Sequence, residues 1–282
     1  MLPKVNSVIE FLTMLYSKGN GYSSICSARS ALSSIIALPN YKSLADHPLI
    51  KRFVKGVFNK RPPKPRYTFT WDVNVVLEHI KMLGLNKLLT LKQLTQKVCM
   101  LLLLCIGQRA NTIINFDTEY MDLQESKVIF YPNNLLKHST PVNIKDDYFV
   151  FEKFEKDMLL CPLEAINEYQ SRRKELSVKD TSFLFTTKKP HKKPAPDTLS
   201  KWIKNFMIDA GIDTRIFKPH SCRSASTSKA ADKGMDLDTI LKYGKWSNAS
   251  TFYKFYYRNT VEKTVEQAHS NNMQRKILDM EQ

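Results

Sequence analysis

One octapeptide limits what this chain can fold into more than any other feature. Asn59-Lys60-Arg61-Pro62-Pro63-Lys64-Pro65-Arg66 sets three prolines among four positive charges. Proline has no amide hydrogen to give to a helix or a sheet, and neighbouring like charges repel, so the stretch reads as an extended, exposed connector. The chain is therefore expected to fold as two units, 1–58 and 68–260, joined by a basic linker over 59–67 and followed by a tail over 261–282. A length of 282 residues suits two modest domains.

The linker is the local extreme of a general bias, since 43 Lys and Arg against 27 Asp and Glu leave a formal charge of +16. A field of that size draws in polyanions, and double-stranded DNA is the expected partner. A membrane is not. The most apolar run, residues 98–106 between Lys97 and Arg109, falls well short of the roughly 20 residues a span requires and reads as a buried core segment. The first residues lack the pattern of a secretory signal, so an intracellular protein is expected. The cysteines Cys26, Cys99, Cys105, Cys161 and Cys222 are scattered, with no C-x-x-C pair, so neither a disulfide framework nor a metal site is expected.

Hydrophobic spacing makes the first unit all helical. Val5, Val8, Ile9, Leu12 and Leu15 recur at three and four, and Gly19-Asn20-Gly21 ends that helix. A second helix, capped by Ser23-Ser24, turns Ile25, Leu32, Ile35 and Ile36 inward and Arg29 elsewhere; a third over 47–58 carries Lys51, Arg52 and Lys55. Beyond the linker, helices are predicted over 71–83, 90–106, 162–174, 198–210, 224–233, 237–243 and 248–257. Lys127-Val-Ile-Phe-Tyr131 is β-branched and aromatic enough for a strand closed by Pro132-Asn133-Asn134, with a later strand over 141–144. The expected class is mainly α with a small β-sheet. Trp202 and Phe206 lie at helical spacing and are expected in the core.

Several residues can do chemistry on phosphate. Cleaving a phosphodiester without a metal needs cations for the extra charge on phosphorus, a nucleophile, and an acid for the departing oxygen. Arginine suits the first role because its planar fork makes paired bonds to phosphate oxygens. Arg109 directly follows the apolar run, where it must find an anion, a cap or an ion pair. His220 and Arg223 in Pro219-His-Ser-Cys-Arg-Ser-Ala-Ser share a face if that segment is helical. Tyr253, Tyr256 and Tyr257 follow in Trp246-Ser-Asn-Ala-Ser-Thr-Phe-Tyr-Lys-Phe-Tyr-Tyr.

An arginine after an apolar helix, then His-x-x-Arg, then a late tyrosine resembles the tyrosine recombinase (phage-integrase-like) family over most of the chain. Cys161-Pro-Leu-Glu-Ala, Ala210-Gly-Ile-Asp-Thr, His220-Ser-Cys-Arg-Ser-Ala-Ser-Thr-Ser and Trp246-Ser-Asn-Ala-Ser-Thr-Phe are most similar to the recombinases of DIRS-like and Ngaro-like retrotransposons. The resemblance implies a helical, SAM-like core-binding domain ahead of the catalytic domain. It further implies that Arg109 and Arg223 hold the scissile phosphate, His220 assists, Lys137 on a β-hairpin protonates the 5′ oxygen, and Tyr256 forms a 3′-phosphotyrosine. No cofactor is implied. The partners implied are duplex DNA and further copies of the chain, as dimers or tetramers on DNA.

Two positions depart from the family. Gly244-Lys245 stands where many members have Gly-His, leaving Lys245 or Trp246 for the second-histidine position. The step from Trp246 to Tyr256 is also one residue longer than usual, so Tyr253 and Tyr257 compete for the nucleophile's role. An inactive DNA-binding descendant and a type IB topoisomerase are the rival readings. Arg29, Lys51, Arg52, Lys55, Lys60, Arg61, Lys64 and Arg66 are the expected DNA-backbone contacts. Lys188-Lys-Pro-His-Lys-Lys193 reads as a solvated loop or a nuclear-import patch, and the tail as a protomer-docking helix or a frayed end.

Overall fold

The computed structural model describes residues 5–38, 40–63, 67–131 and 148–260. The chain divides into two compact units, Met1–Arg66 and Tyr67–Gln282. The predicted strand over 141–144, Lys137 and the tail over 261–282 lie outside the described residues.

The first unit consists of α1 (Val5–Ser17), α2 (Tyr22–Ser33), a 3-10 turn at Leu44–Asp46 and α3 (Pro48–Lys60). Val8 and Leu12 of α1, Ile25 of α2, Leu44, and Ile50, Val54 and Val57 of α3 close its core. Gly19, at φ 89°, carries the chain out of α1 through a conformation that side-chain-bearing residues avoid. Two expectations fail at α2. Its N-cap is Gly21, without a side-chain bond, in place of the two serines. It also stops at Ser33, leaving Ile35 77% exposed. The Ser34 hydroxyl bonds back to the Ala31 carbonyl at 2.7 Å, the local competition by which serine disfavours further helix. At the other end of the unit, α3 runs two residues past Phe58 into the basic segment.

The second unit is mainly helical with one small sheet. Its elements are α4 (Val73–Met82), α5 (Leu91–Ile106), α6 (Ala110–Ile113), β1 (Met121–Leu123), β2 (Lys127–Phe130), β3 (Phe149–Glu152), α7 (Pro162–Glu175), α8 (Pro196–Asp209), α9 (Ser221–Asp232), α10 (Leu237–Gly244) and α11 (Ala249–Phe255). The apolar run becomes the second half of α5, which packs against α7, α8 and α9 and buries every residue from Leu94 to Leu103. Thr90 and Gln93 form a reciprocal capping box at its start. Gly107 ends it at φ 58°, where a Cβ would lie 2.6 Å from Cγ2 of Thr227, so only glycine allows both the turn and the approach of α9.

The sheet is antiparallel in the order β1-β2-β3, with Val128 opposite Phe151 and Phe130 opposite Phe149. Its inner face joins the helical core through aromatic rings: Phe116 stacks on Phe130 at 4.3 Å, and Phe183 meets Phe130 edge-on at 4.9 Å. Trp202 and Phe206 are buried, as their spacing predicts. The two ends of the described part of this unit are clasped together. The Thr70 amide donates to the Asn259 carbonyl at 2.9 Å, and Arg258 Nε donates to the Tyr67 carbonyl at 2.8 Å.

Candidate functional site

The site is built around α9. This helix starts at Ser221, three residues earlier than its sequence pattern suggests, with His220 at the N-cap. The indole N–H of Trp71 donates to the Ser221 hydroxyl at 2.9 Å, and Lys229 pairs with Asp72 at 3.1 Å, so both ends of α9 are tied to the start of α4. His220 and Arg223 consequently share the first turn.

Arg223 is only 1% exposed, an unusual setting for a side chain that stays charged in proteins. Its Nη2 donates to the Gly244 carbonyl at 2.7 Å and its Nη1 to Oε1 of Gln108 at 3.3 Å, while Nε has no partner among the described residues. The guanidinium carbon lies 4.0 Å from the centre of the Trp246 ring and 5.0 Å from that of Tyr256. Burial and, after it, the nearby Arg109 charge lower the guanidinium pKa to about 10, the Tyr256 phenol partly offsetting both. Among the described residues no carboxylate pairs with Arg109 or Arg223. Arg109 occupies the N-cap position of α6 without a side-chain capping bond, so among the described residues it has neither the capping nor the ion-pair role expected of a structural arginine.

Trp246, rather than Lys245, lies against Arg223. Lys245 takes the left-handed conformation at φ 53° after α10, and its ammonium extends over the Phe149 ring at 5.9 Å. That turn folds the indole back over Gly244, where a Cβ would run into Cζ3 of Trp246. The indole N–H is buried and has no partner among the described residues. Two buried N–H donors on adjoining side chains therefore find no acceptor among the described residues, and an anion could satisfy both.

The three tyrosines separate clearly. The Tyr256 ring lies 4.9 Å from Trp246 and 6.3 Å from His220 as well as against Arg223. Tyr253 is half exposed, and the Tyr257 hydroxyl meets Asp232 at 3.4 Å. The expected helix over 248–257 stops at Phe255, so Tyr256 and Tyr257 do not lie on one continuous helix with Tyr253. The cause is capture of the local carbonyls by side chains. The Ser224 and Ser228 hydroxyls, one turn apart on α9, both donate to the Tyr256 carbonyl. Arg258 donates to the carbonyls of Tyr253, Lys254 and Tyr257.

Arg109, His220, Arg223, Trp246 and Tyr256 thus come together in the second unit, and Lys137 lies outside the described residues. Gln108, Gly244, Ser224, Ser228 and Arg258 are additional parts that the sequence did not single out. The hydroxyl spacing in Ser-Ala-Ser-Thr-Ser was the available signal for the serines.

In the first unit, Lys51, Arg52, Lys55 and Lys60 are exposed. Arg29, Lys51 and Lys55 join Tyr22, Val54 and Phe58 around a depression of about 400 Å³, and the Arg29 Nε is buried without a partner among the described residues. Arg61 behaves differently. It lies 3.8 Å from the Tyr16 ring centre and donates to the carbonyls of Tyr16 and Asn20 at 2.8 and 3.1 Å, closing the α1–α2 turn. Lys64 and Arg66 lie outside the described residues.

Residues 76–263 match the phage integrase family. No curated protein matches the sequence. Among solved structures, XerH site-specific recombinase bound to its difH substrate is 14% identical with a TM-score of 0.59, covering 93% of this chain and 69% of its own. The Tn1549 transposon integrase in complex with circular intermediate DNA is 12% identical with a TM-score of 0.54, covering 94% of this chain and 85% of its own. XerA recombinase is 15% identical with a TM-score of 0.51, covering 92% and 79%. These likenesses carry the fold, a helical N-terminal region followed by an integrase catalytic domain. With the family match spanning α5, α9 and α11, the chain belongs to the phage integrase family of DNA breaking-and-rejoining tyrosine recombinases.

Proposed function

We propose that this chain is a site-specific DNA recombinase that cuts and rejoins strands through a 3′-phosphotyrosine, with Tyr256 as nucleophile. The observation that carries this reading is the buried Arg223 guanidinium, with an unpartnered Nε, packed against both the unpartnered indole of Trp246 and the ring of Tyr256. A scissile phosphate supplies the missing acceptor and the missing negative charge. The Tyr256 oxygen attacks phosphorus, the bond to the 5′ oxygen breaks, and Lys137 donates a proton to that oxygen. His220 receives the phenol's proton or bonds a nonbridging oxygen. Arg109 and Arg223 stabilise the charge gathered on the equatorial oxygens. Attack by another strand's 5′ hydroxyl reverses these steps and rejoins the DNA.

In this reading the first unit is a core-binding domain that contacts the DNA backbone through Arg29, Lys51, Arg52, Lys55 and Lys60, followed by Lys64 and Arg66. Copies assemble on DNA as dimers or tetramers, aided by the tail. The λ integrase structure bound to a COC' core site is likewise a dimer. The resemblance of the motif strings supports an origin in a DIRS-like or Ngaro-like element, and the basic loop at 188–193 suits nuclear import.

A nicked duplex that loses its 5′ hydroxyl fragment on cleavage tests the proposal. Wild type is expected to accumulate a denaturation-resistant protein–DNA adduct, and Tyr256→Phe none. An adduct that persists in Tyr256→Phe would move the role to Tyr253 or Tyr257. Duplex binding without any wild-type adduct would favour an inactive DNA-binding descendant, the reading that Lys245-Trp246 and the longer step to Tyr256 support.

A further inference from the structure

We infer that Gln108 is a positioning residue for phosphate: its carboxamide fixes the orientation of the Arg223 guanidinium while leaving Nε unpartnered to meet the anion. The inference rests on the recombinase reading of the same site.

Gln108 is 1% exposed, so its polar atoms must find partners inside the protein. Its Nε2 donates to the Tyr243 carbonyl at 2.5 Å, which settles the orientation of the amide and leaves Oε1 to accept from Arg223 at 3.3 Å. The opposite orientation would set two donors against each other at Arg223 and two acceptors against each other at Tyr243. One side chain therefore joins the turn that carries Arg109, the helix that carries Arg223, and the end of α10 that leads to Trp246. With the Gly244 carbonyl taking Nη2, both terminal nitrogens of Arg223 are anchored within the protein. The Gly107 turn directs this side chain inward immediately before Arg109.

A neutral group with both an acceptor and a donor is what this position requires. Glutamate could not donate to Tyr243, and its charge would pair with Arg223 and cancel the attraction for phosphate. Methionine has similar length but would leave Nη1 and the Tyr243 carbonyl unpaired. Glutamine satisfies both neighbours and leaves the arginine's positive charge available.

The test uses the full-length chain, the nicked duplex and single-turnover adduct formation. Gln108→Met is expected to slow adduct formation about 10–100-fold with duplex Kd changed less than about threefold, because the lost contact matters most in the transition state. In an Arg223→Lys background the same change should cost less than about threefold more, since residues acting through one another are not additive. A merely structural role would lower the rate by the same factor in both backgrounds. That result, or a wild-type rate for Gln108→Met, overturns the inference.

Gln108→Glu, which retains a partner for Arg223, and inorganic phosphate provide a second reading that needs no catalysis. Phosphate should raise the Tm of wild type more than that of Arg223→Gln, and Gln108→Glu should lose that excess. An excess equal to wild type in Gln108→Glu also overturns the inference. Failure of the recombinase reading shows separately, as absence of the wild-type adduct, and leaves the phosphate arm to decide the role of Gln108.

Discussion

Gly244→Ala adds one methyl group and should disable the site through Trp246. The added carbon would lie 2.8 Å from Cη2 of the indole and closer still to Cζ3 and Cε3, far inside van der Waals contact. The ring must leave its place over Arg223, giving up a cation–π contact at 4.0 Å. Loss of such a desolvated contact costs about 2 kcal/mol, and overpacking adds about 1–3 kcal/mol. Alanine returns about 1 kcal/mol as the better helix former at the end of α10. A net loss of about 2–4 kcal/mol corresponds to a fall of about 4–16 °C in the Tm of a unit this size. Calorimetry measures it, with adduct formation on the nicked duplex read in parallel. The decisive comparison is the Trp246→Ala background, where the obstruction is gone. There Gly244→Ala should be neutral or stabilising by up to about 1 kcal/mol, a change of sign. An equal loss in both backgrounds, or a wild-type Tm for the single variant, would refute the placement of the indole.

Burial holds the Lys97 ammonium, fully enclosed in α5, down at about pH 8 from an unfolded value near 10.5. The unfolded chain therefore binds more protons between these values, so this residue's contribution makes stability rise from pH 8 to 10.5. Lys97→Met should remove that rise and gain about 1–3 kcal/mol at pH 7, as followed by urea unfolding; a less stable variant would contradict it. Arg61→Ala should destabilise the first unit by about 1–2 kcal/mol through the lost Tyr16 and Asn20 contacts, with little change in the salt slope of DNA binding. A slope reduced by about one would restore Arg61 to the phosphate contacts. Replacing both Ser224 and Ser228 by alanine frees the Tyr256 carbonyl and should slow adduct formation about tenfold or more with duplex affinity retained; an unchanged rate would show that the clamp is dispensable.

Periodicity and local chemistry carried much of this architecture. The spacing of Val8, Leu12 and Ile25 identifies the first unit's core, and the run ending in Gly107 announces the most buried helix, because apolar side chains at helical intervals have few other ways to leave water. The residues of the candidate site, Arg109, His220, Arg223, Trp246 and Tyr256, could be singled out as well, since the proposed phosphoryl chemistry calls for particular functional groups in whatever fold presents them.

What the sequence could not decide were choices made between distant segments. Tyr256 rather than Tyr257 lies against Arg223 because serines from α9 and the guanidinium of Arg258 take the carbonyls that would have continued α11. Arg61 looks like its cationic neighbours in the linker, yet turns inward because Tyr16 offers a ring and a carbonyl at the end of α1. Gln108 is one more polar residue until Tyr243 and Arg223 are brought to its two ends. A residue type states which bonds a side chain can make; only the tertiary structure, by excluding water and fixing distances, decides which of them it does make.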